Sequence, residues 1–516
     1  MADYVNRIAL QPNRDSAHRI RFRRGGRLES MTLAEVDRRA ASIATRLRAR
    51  GIGRGDRVGV MARNRIEWVL LDLAILKLGG VTTGFDAARF DAAAALQRYG
   101  LHHIFVEGAV PDHDGRIVSM DEIHEWLDGP ELELPAHDGY GPETICAIKF
   151  TSGSTGLPKG LETTAGSIND SLTDVQEMFE HGPGDNILIF LRLALLQQRY
   201  WIYSALVNGH DATIANLDDM LVAAQEAHPT IIMGVPWFFE DVKRRLESAA
   251  DLSDLAQRRS AIQSIFGGGV RYLWTGSAPA GRAVLDFYND CGVPLYQGYG
   301  LNETCIVAKN HPRAHRIGSV GKVLPNVRVR FDSDGVLIVG RRHPVNTHFT
   351  WCAPGDNEKM FLPSGEVRTH DLAYLDGEGF LYVLGRVDDI VVLSSGRNVL
   401  VPPLEERIRA HPAVEQCVLY GTGKPFLTAL ISPAGDPVDA ASIQEFIEEM
   451  NATLLAEQRI HGIVIAGEKF SIENGLLTSQ FKPVRKEIAR RFAAELADVY
   501  APSADVRPRR NFVIEA

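Results

Sequence analysis

The chain has 516 residues, too many for a single hydrophobic core, so two or more domains are expected. Apolar residues make up 45% and charged residues 23%, the balance of a water-soluble globular protein. A formal net charge of −9 argues against general nucleic-acid binding, yet a nucleotide can still be held by local donors and a cation.

Residues 1–22 are mixed and charged, with no apolar secretory stretch. Thr32-Leu33-Ala34-Glu35 is a capping box, and Leu33, Val36, Ala40, Ile43 and Leu47 follow at helical spacing until Gly51 ends the helix. Residues 56–61 read as a strand and 65–78 as a second helix. The most apolar run, 68–81, is interrupted by Asp72 and Lys77 and is too short to cross a bilayer, so no integral membrane segment is expected. A strand over 144–148 leads into a glycine-rich loop. Strand–helix alternation continues through 186–191, 200–207, 229–234, 237–246, 271–274, 281–291 and 294–296. Repeated units of this kind predict mostly parallel sheets covered by helices.

After about residue 315 the pattern changes to short strands at 327–331, 335–339 and 379–383. From 387 onward strands (414–420, 427–432) mix with helices (441–450, 484–499), a comfortable size for a small α+β domain. The expected fold is therefore α/β: a large N-terminal domain, 1–386, with a short-stranded β subdomain, and a small mobile C-terminal domain, 387–516. Five scattered cysteines (Cys146, Cys291, Cys305, Cys352, Cys417) without a C-x-x-C pair read as reduced thiols, and a cytoplasmic protein is expected. The histidines lack zinc-ligand spacing.

The most informative segment is Phe150-Thr151-Ser152-Gly153-Ser154-Thr155-Gly156-Leu157-Pro158-Lys159-Gly160, with three glycines, four hydroxyls and one lysine. Glycine lets backbone N–H groups turn inward, and the hydroxyls and Lys159 add donors, which suits a polyphosphate. The Walker A spacing is absent. Read alone, the segment could be a flexible linker, but linkers rarely follow an apolar strand or end in Pro-Lys-Gly.

Further segments follow in order: Trp274-Thr275-Gly276-Ser277-Ala278-Pro279, Gly298-Tyr299-Gly300-Leu301-Asn302-Glu303-Thr304, Gly318-Ser319-Val320-Gly321, Thr369-His370-Asp371, Gly385-Arg386-Val387-Asp388-Asp389, and Asn474-Gly475-Leu476-Leu477-Thr478 ahead of Lys482. Together they resemble the AMP-forming adenylating superfamily of acyl-CoA synthetases, adenylation domains and luciferases, closest in flavour to long-chain acyl-CoA synthetases. The resemblance runs from about residue 30 to the end. It implies that a carboxylate attacks the α-phosphate of ATP, releasing pyrophosphate, and that a second nucleophile, with CoA the default, then displaces AMP. ATP, Mg²⁺, CoA and a small-molecule acid are the implied partners.

By the same resemblance, Thr151, Ser152, Gly153, Ser154, Thr155, Gly156 and Lys159 cradle the β- and γ-phosphates. Gly276, Ser277, Ala278 and Pro279 lie along the adenine, and Tyr299, between Gly298 and Gly300, stacks on it. Asn302 takes the α-phosphate position, and Glu303 is the Mg²⁺ ligand. Asp371 and Arg386 fix the ribose hydroxyls. Lys482 is the catalytic lysine, a preorganised donor whose loss typically costs about 10²–10³ in rate. Asp388 falls at the hinge. Taken singly, Tyr299 reads as a core aromatic, Glu303 as a surface charge, Asp371 as a turn cap and Lys482 as a solvated lysine.

Several positions depart from the family pattern. Arg192 stands where proline is usual and Leu195 where a histidine or aromatic gate is usual, both on the acid side with Gly298. Ala165 replaces a histidine, Asn302 a threonine and His370 a glycine, and residues 345–363 lack the usual stretch. Pocket shape is expected from 200–204, 234–238 and 298–301. Two other functions stay open: adenylation with a non-CoA acceptor or an unusual acid (an amine, a carrier protein, or nitrite in a diazotase-like reaction), and a non-catalytic nucleotide-binding relative.

Overall fold

A computed structural model describes residues 3–13, 16–87, 89–108, 110, 115–151, 158–249, 254–435, 438–478, 481–501 and 512–515. The chain divides into two compact units. The first comprises Met1–Arg330, Ile338–Thr369 and Asp376–Leu381; the second comprises Phe331–Leu337, His370–Leu375 and Tyr382–Ala516. The second unit thus takes in residues 382–386, ahead of the division expected at 386/387, together with two short upstream segments.

The first unit holds two large sheets. The nine-stranded one runs in the order Lys322–Val323, Cys305–Lys309, Leu295–Leu301, Tyr272–Thr275, Ile231–Gly234, Asn186–Ile189, Asp211–Ile214, Arg19–Arg24, Arg27–Thr32. Its six middle strands are parallel and its ends are antiparallel hairpins. The six-stranded sheet runs Ile117–Ser119, His103–Val106, Arg57–Met61, Val81–Gly84, Ile145–Phe150, Gly160–Thr164, with only the last pair antiparallel. Buried parallel strands of this kind need helices on their faces. The first of these is Leu33–Ala49, opened by the Thr32/Glu35 capping box: the Thr32 hydroxyl accepts from the Glu35 N–H at 3.1 Å, and Glu35 accepts from the Thr32 N–H at 2.8 Å.

The Ile66–Lys77 helix is buried on every side, including Asp72 and Lys77. Each charge that interrupts its apolar run has a partner. Asp72 accepts from Arg199 Nη1 at 2.8 Å and from the Tyr203 hydroxyl at 2.6 Å, both from the Leu196–Asn208 helix, where four-residue spacing puts them on one face. Lys77 Nζ lies 2.6 Å from Asp37 and donates to the Ile8 carbonyl at 3.1 Å. Buried charges persist because they are paired in this way.

In the second unit a four-stranded sheet runs Val414–Tyr420, Leu427–Pro433, Ile460–Ile465, Phe512–Glu515. Strand alternation sorts its side chains onto two cores. Cys417, Leu419, Ala429 and Ile431 pack with Ile443 and Ile447 on one face, and Val418, Leu430 and Val464 with Ile488 and Phe492 on the other. The helix expected over 484–499 is two, Arg485–Arg491 and Ala493–Val499. Between them Phe492 leaves helical geometry (φ −108°, ψ 31°) and buries its ring 6.1 Å from Phe470. Core packing there overrides a continuous helical period.

The Asp72 network predicts a large effect from a single truncation. Asp72→Ala strands the Arg199 guanidinium in the core and should lower unfolding free energy by about 3–5 kcal/mol in denaturant titration. A loss near zero would show that Arg199 is not held by Asp72.

Candidate functional site

The Ile145–Phe150 strand delivers the glycine-rich loop and the antiparallel Gly160–Thr164 strand receives it, with Phe150 opposite Gly160. The loop therefore leaves and returns at neighbouring positions. Thr151 closes its neck by donating its N–H to the Lys159 carbonyl at 3.0 Å. Ser152, Gly153, Ser154, Thr155 and Gly156 lie outside the described residues. Lys159 Nζ is 2.9 Å from Asp356 Oδ2 and 4.8 Å from the centre of the Phe349 ring. The hydrogen bond from Lys159 holds the Asp356 carboxyl below its ordinary range. Gly160 and Thr350 exchange backbone hydrogen bonds at 2.9 and 2.8 Å, and a Cβ on Gly160 would fall 2.4 Å from Thr350 Oγ1. The atypical 345–363 segment is thus fastened to the strand that leaves the loop. Asp356, which sequence reasoning missed, occupies the loop's lysine.

The second element is the hairpin of Leu295–Leu301 and Cys305–Lys309. Its strands approach so closely that a Cβ on Gly300 would lie 2.0 Å from the Cys305 carbonyl oxygen. A register shift between Tyr299 and Gly300 and a positive φ of 56° at Cys305 complete the bend. Glu303 sits on the tip, 9% exposed, and Tyr299 and Asn302 are half-buried. Asn346, also unforeseen, fixes the tip by donating to the Asn302 carbonyl at 3.1 Å and the Glu303 carbonyl at 2.9 Å. Lys149, buried on the neighbouring sheet, has its ammonium pushed down by burial, with Cys305 and Glu303 opposing that shift.

Ser277, in the turn after the Tyr272–Thr275 strand, is exposed and has φ +70°, a conformation that favours glycine. Gly276 lies against Gly298: its added Cβ would be 3.4 Å from the Gly298 carbonyl. Ala278 is half-buried and Pro279 exposed. The structure thus brings the expected adenine turn beside the Gly298–Gly300 strand.

Of the residues expected on the acid side, Leu195 is the half-buried residue that opens the Leu196–Asn208 helix, and its N–H donates to the Arg192 carbonyl at 2.9 Å. Arg192 is ion-paired with Asp86 and nearly half exposed, so its charge is already neutralised. The Phe190 and Phe238 rings are 4.9 Å apart, and those of Trp201 and Trp274 4.6 Å.

In the second unit, Asp371 (4% exposed) and Arg386 lie on neighbouring strands, Val367–Leu375 and Leu381–Arg386, with 3.6 Å between carboxylate and guanidinium. His370, where glycine is usual, adopts φ +62°. Lys482 is hydrogen-bonded to Thr478: the Thr478 N–H donates to the Lys482 carbonyl at 2.8 Å and the Lys482 N–H donates to the Thr478 hydroxyl at 3.2 Å. Burial lowers the Lys482 ammonium from its ordinary value; Asp371 and Asp389 oppose the shift and Arg386 adds to it. Three residues far apart in sequence therefore share one neighbourhood. Asp388 lies in a short 3₁₀ turn, Val387–Asp389, just after Arg386.

Two family models match: that of the AMP-binding enzyme over residues 6–338 and that of the AMP-binding enzyme C-terminal domain over residues 388–504. A long-chain-fatty-acid–CoA ligase, FadD15 of Mycobacterium bovis, is 27% identical over 96% of this chain and 97% of its own. The o-succinylbenzoate CoA synthetase MenE of Bacillus subtilis, solved with the acyl-adenylate OSB-AMP, superposes with a TM-score of 0.76 at 21% identity, covering 95% of this chain and 98% of that one. ATP-bound MatB of Rhodopseudomonas palustris gives 0.78 at 20%, covering 96% and 99%. At these identities the solved structures speak for the fold. The chain belongs to the AMP-binding enzyme family.

Proposed function

We propose that this protein is an AMP-forming acid–CoA ligase. A carboxylate oxygen of the acid attacks the α-phosphorus of ATP, the bond to the bridging oxygen breaks, and pyrophosphate leaves. The CoA sulfur then attacks the acyl carbon and AMP departs. The observation that carries the reading is the gathering of Asp371, Arg386 and Lys482 in one neighbourhood. A carboxylate beside a guanidinium suits a ribose diol, and a lysine beside them suits the phosphate that carries that ribose. The relatives' activities agree, since FadD15 of Mycobacterium bovis is a CoA ligase.

Each remaining residue has a task in that chemistry. Lys159 and the loop it closes neutralise the departing pyrophosphate. Tyr299 and the Gly276 turn hold the adenine. Glu303 suits Mg²⁺ carried in by the nucleotide: among the described residues no cluster of three or more acidic, histidine or cysteine side chains forms an all-protein cage, and a single carboxylate with phosphate oxygens is the usual Mg²⁺ arrangement. Bound there, the cation offsets phosphate charge as pyrophosphate departs. Burial disfavours the Lys482 ammonium, and negative charge building on the α-phosphate favours it, so the lysine interacts more strongly as the reaction proceeds. Arg192, tied to Asp86, gives no reason to prefer an unusual acceptor. Asp388 is proposed as the hinge at which the C-terminal part, 387–516, turns between the two half-reactions.

Two measurements test these roles. Lys482→Ala should slow single-turnover adenylate formation by about 10²–10³ while leaving transfer from a supplied acyl-adenylate nearly intact. Adenylate formation at the parental rate would remove Lys482 from the reaction. Asp356→Ala should lower the KM for ATP by about two- to fivefold, the worth of a partly exposed ion pair that phosphate must displace. An unchanged KM would show that Lys159 does not exchange Asp356 for phosphate.

A further inference from the structure

Lys309 ends the Cys305–Lys309 strand and is 5% exposed. It pairs directly with Gly298, and a Cβ on Gly298 would lie 3.2 Å from Lys309 Cδ. Its alkyl stem therefore covers the face that Gly298 leaves bare. Its ammonium ends over the indole of Trp274, 3.9 Å from the ring centre. Among the described residues no carboxylate and no hydrogen-bond acceptor meets that ammonium, and burial alone pushes it down to about 7. A cation–π contact offsets only part of the cost of burying an unpaired charge.

Two indole donors beside Lys309 lack partners. Trp274 Nε1 and Trp201 Nε1 are buried without hydrogen-bond partners, and both residues are 1% exposed or less. The Trp201 and Trp274 rings touch, and burial keeps nearby His181 well below its ordinary value and neutral. Tyr200 lies beside Cys305, on the strand that ends in Lys309. A ligand group that meets the Lys309 ammonium and these indole N–H groups is best an acceptor, and opposite an ammonium best an anion.

We propose that Lys309 is a specificity residue for the acid substrate, selecting a compact acid that carries a second carboxylate at the end remote from the one activated. The inference rests on the adenylation reading above and on Gly298 facing the acid. The Trp201 and Trp274 rings beside the Lys309 ammonium favour a short or aromatic spacer between the two carboxylates. The carboxylate under attack lies at the nucleotide and the other meets Lys309 over Trp274.

The test is acid-dependent pyrophosphate release by the full chain with matched pairs, each dicarboxylate set against the acid in which a methyl group replaces the far carboxylate. Succinate, glutarate, adipate and carboxyphenyl-alkanoates form the panel. At least one dicarboxylate should exceed its methyl-ended partner in kcat/KM by about 10² or more. Lys309→Met, which keeps the stem, should cut that dicarboxylate by about 10²–10³, chiefly through KM, and narrow the ratio. Lys309→Arg should retain the preference. Should Lys309→Met fail to fold, the wild-type ratio and the arginine variant still decide. Pyrophosphate release driven equally well or better by the methyl-ended acids, or a ratio that Lys309→Met leaves unchanged, overturns the role of Lys309 alone. Absence of release with every acid overturns the adenylation reading along with it.

Discussion

The close approach of two backbones in the Leu295–Lys309 hairpin is the constraint on which the proposed nucleotide side of the site depends. Gly300 packs against the Cys305 carbonyl at a distance that admits no Cβ, and Gly321 packs in the same way against Lys309 from the neighbouring strand, where a Cβ would lie 1.9 Å from the backbone. These contacts let three strands converge with a bulge after Tyr299 and a sharp turn at Glu303. The ring expected to meet adenine, the carboxylate expected to meet Mg²⁺ and the buried ammonium of Lys309 are therefore set by one short piece of backbone. Asn346 holds its tip from outside.

Charge burial follows two patterns in this molecule. Asp72 with Arg199 and Tyr203, and Lys77 with Asp37, are closed networks that tie helices together and have nothing left to offer a ligand acceptor beyond the remaining guanidinium nitrogens of Arg199. Lys149 and Lys309 are different. Both are buried with their ammonium groups pushed down, and both border the hairpin. Closed networks serve stability; Lys149 still has Glu303 acting on it, whereas the Lys309 ammonium, with no carboxylate beside it, suits a ligand that completes it. Lys159 stands between the two, ion-paired to Asp356 with both side chains partly exposed.

Local signals were legible in the sequence. The Thr32–Glu35 capping box, the strand–helix alternation and the glycine-rich motifs each depend on residues close together in the chain, and the parallel sheets follow from their repetition. What could not be read depends on register and on distant segments. Lys309 meets Gly298 only because the bulge after Tyr299 sets the pairing, and no periodicity in the sequence announces that bulge. Asp356 reaches Lys159 from almost two hundred residues away, through a bridge at Gly160 and Thr350. The 484–499 helix breaks because Phe492 turns inward to Phe470, a packing choice that helical spacing does not record. Arg192 shows the same limit: its position in sequence does not announce Asp86, which pairs with its guanidinium.

The account stands on one chemical claim, that ATP is cleaved between its α- and β-phosphates at the demand of an acid. Phosphorus NMR of the protein turning over ATP with Mg²⁺, the acid panel and CoA reads that bond directly. The account predicts AMP and pyrophosphate in equal amounts, and only when an acid is present. Release of ADP and phosphate, or AMP formation indifferent to every acid, would contradict it.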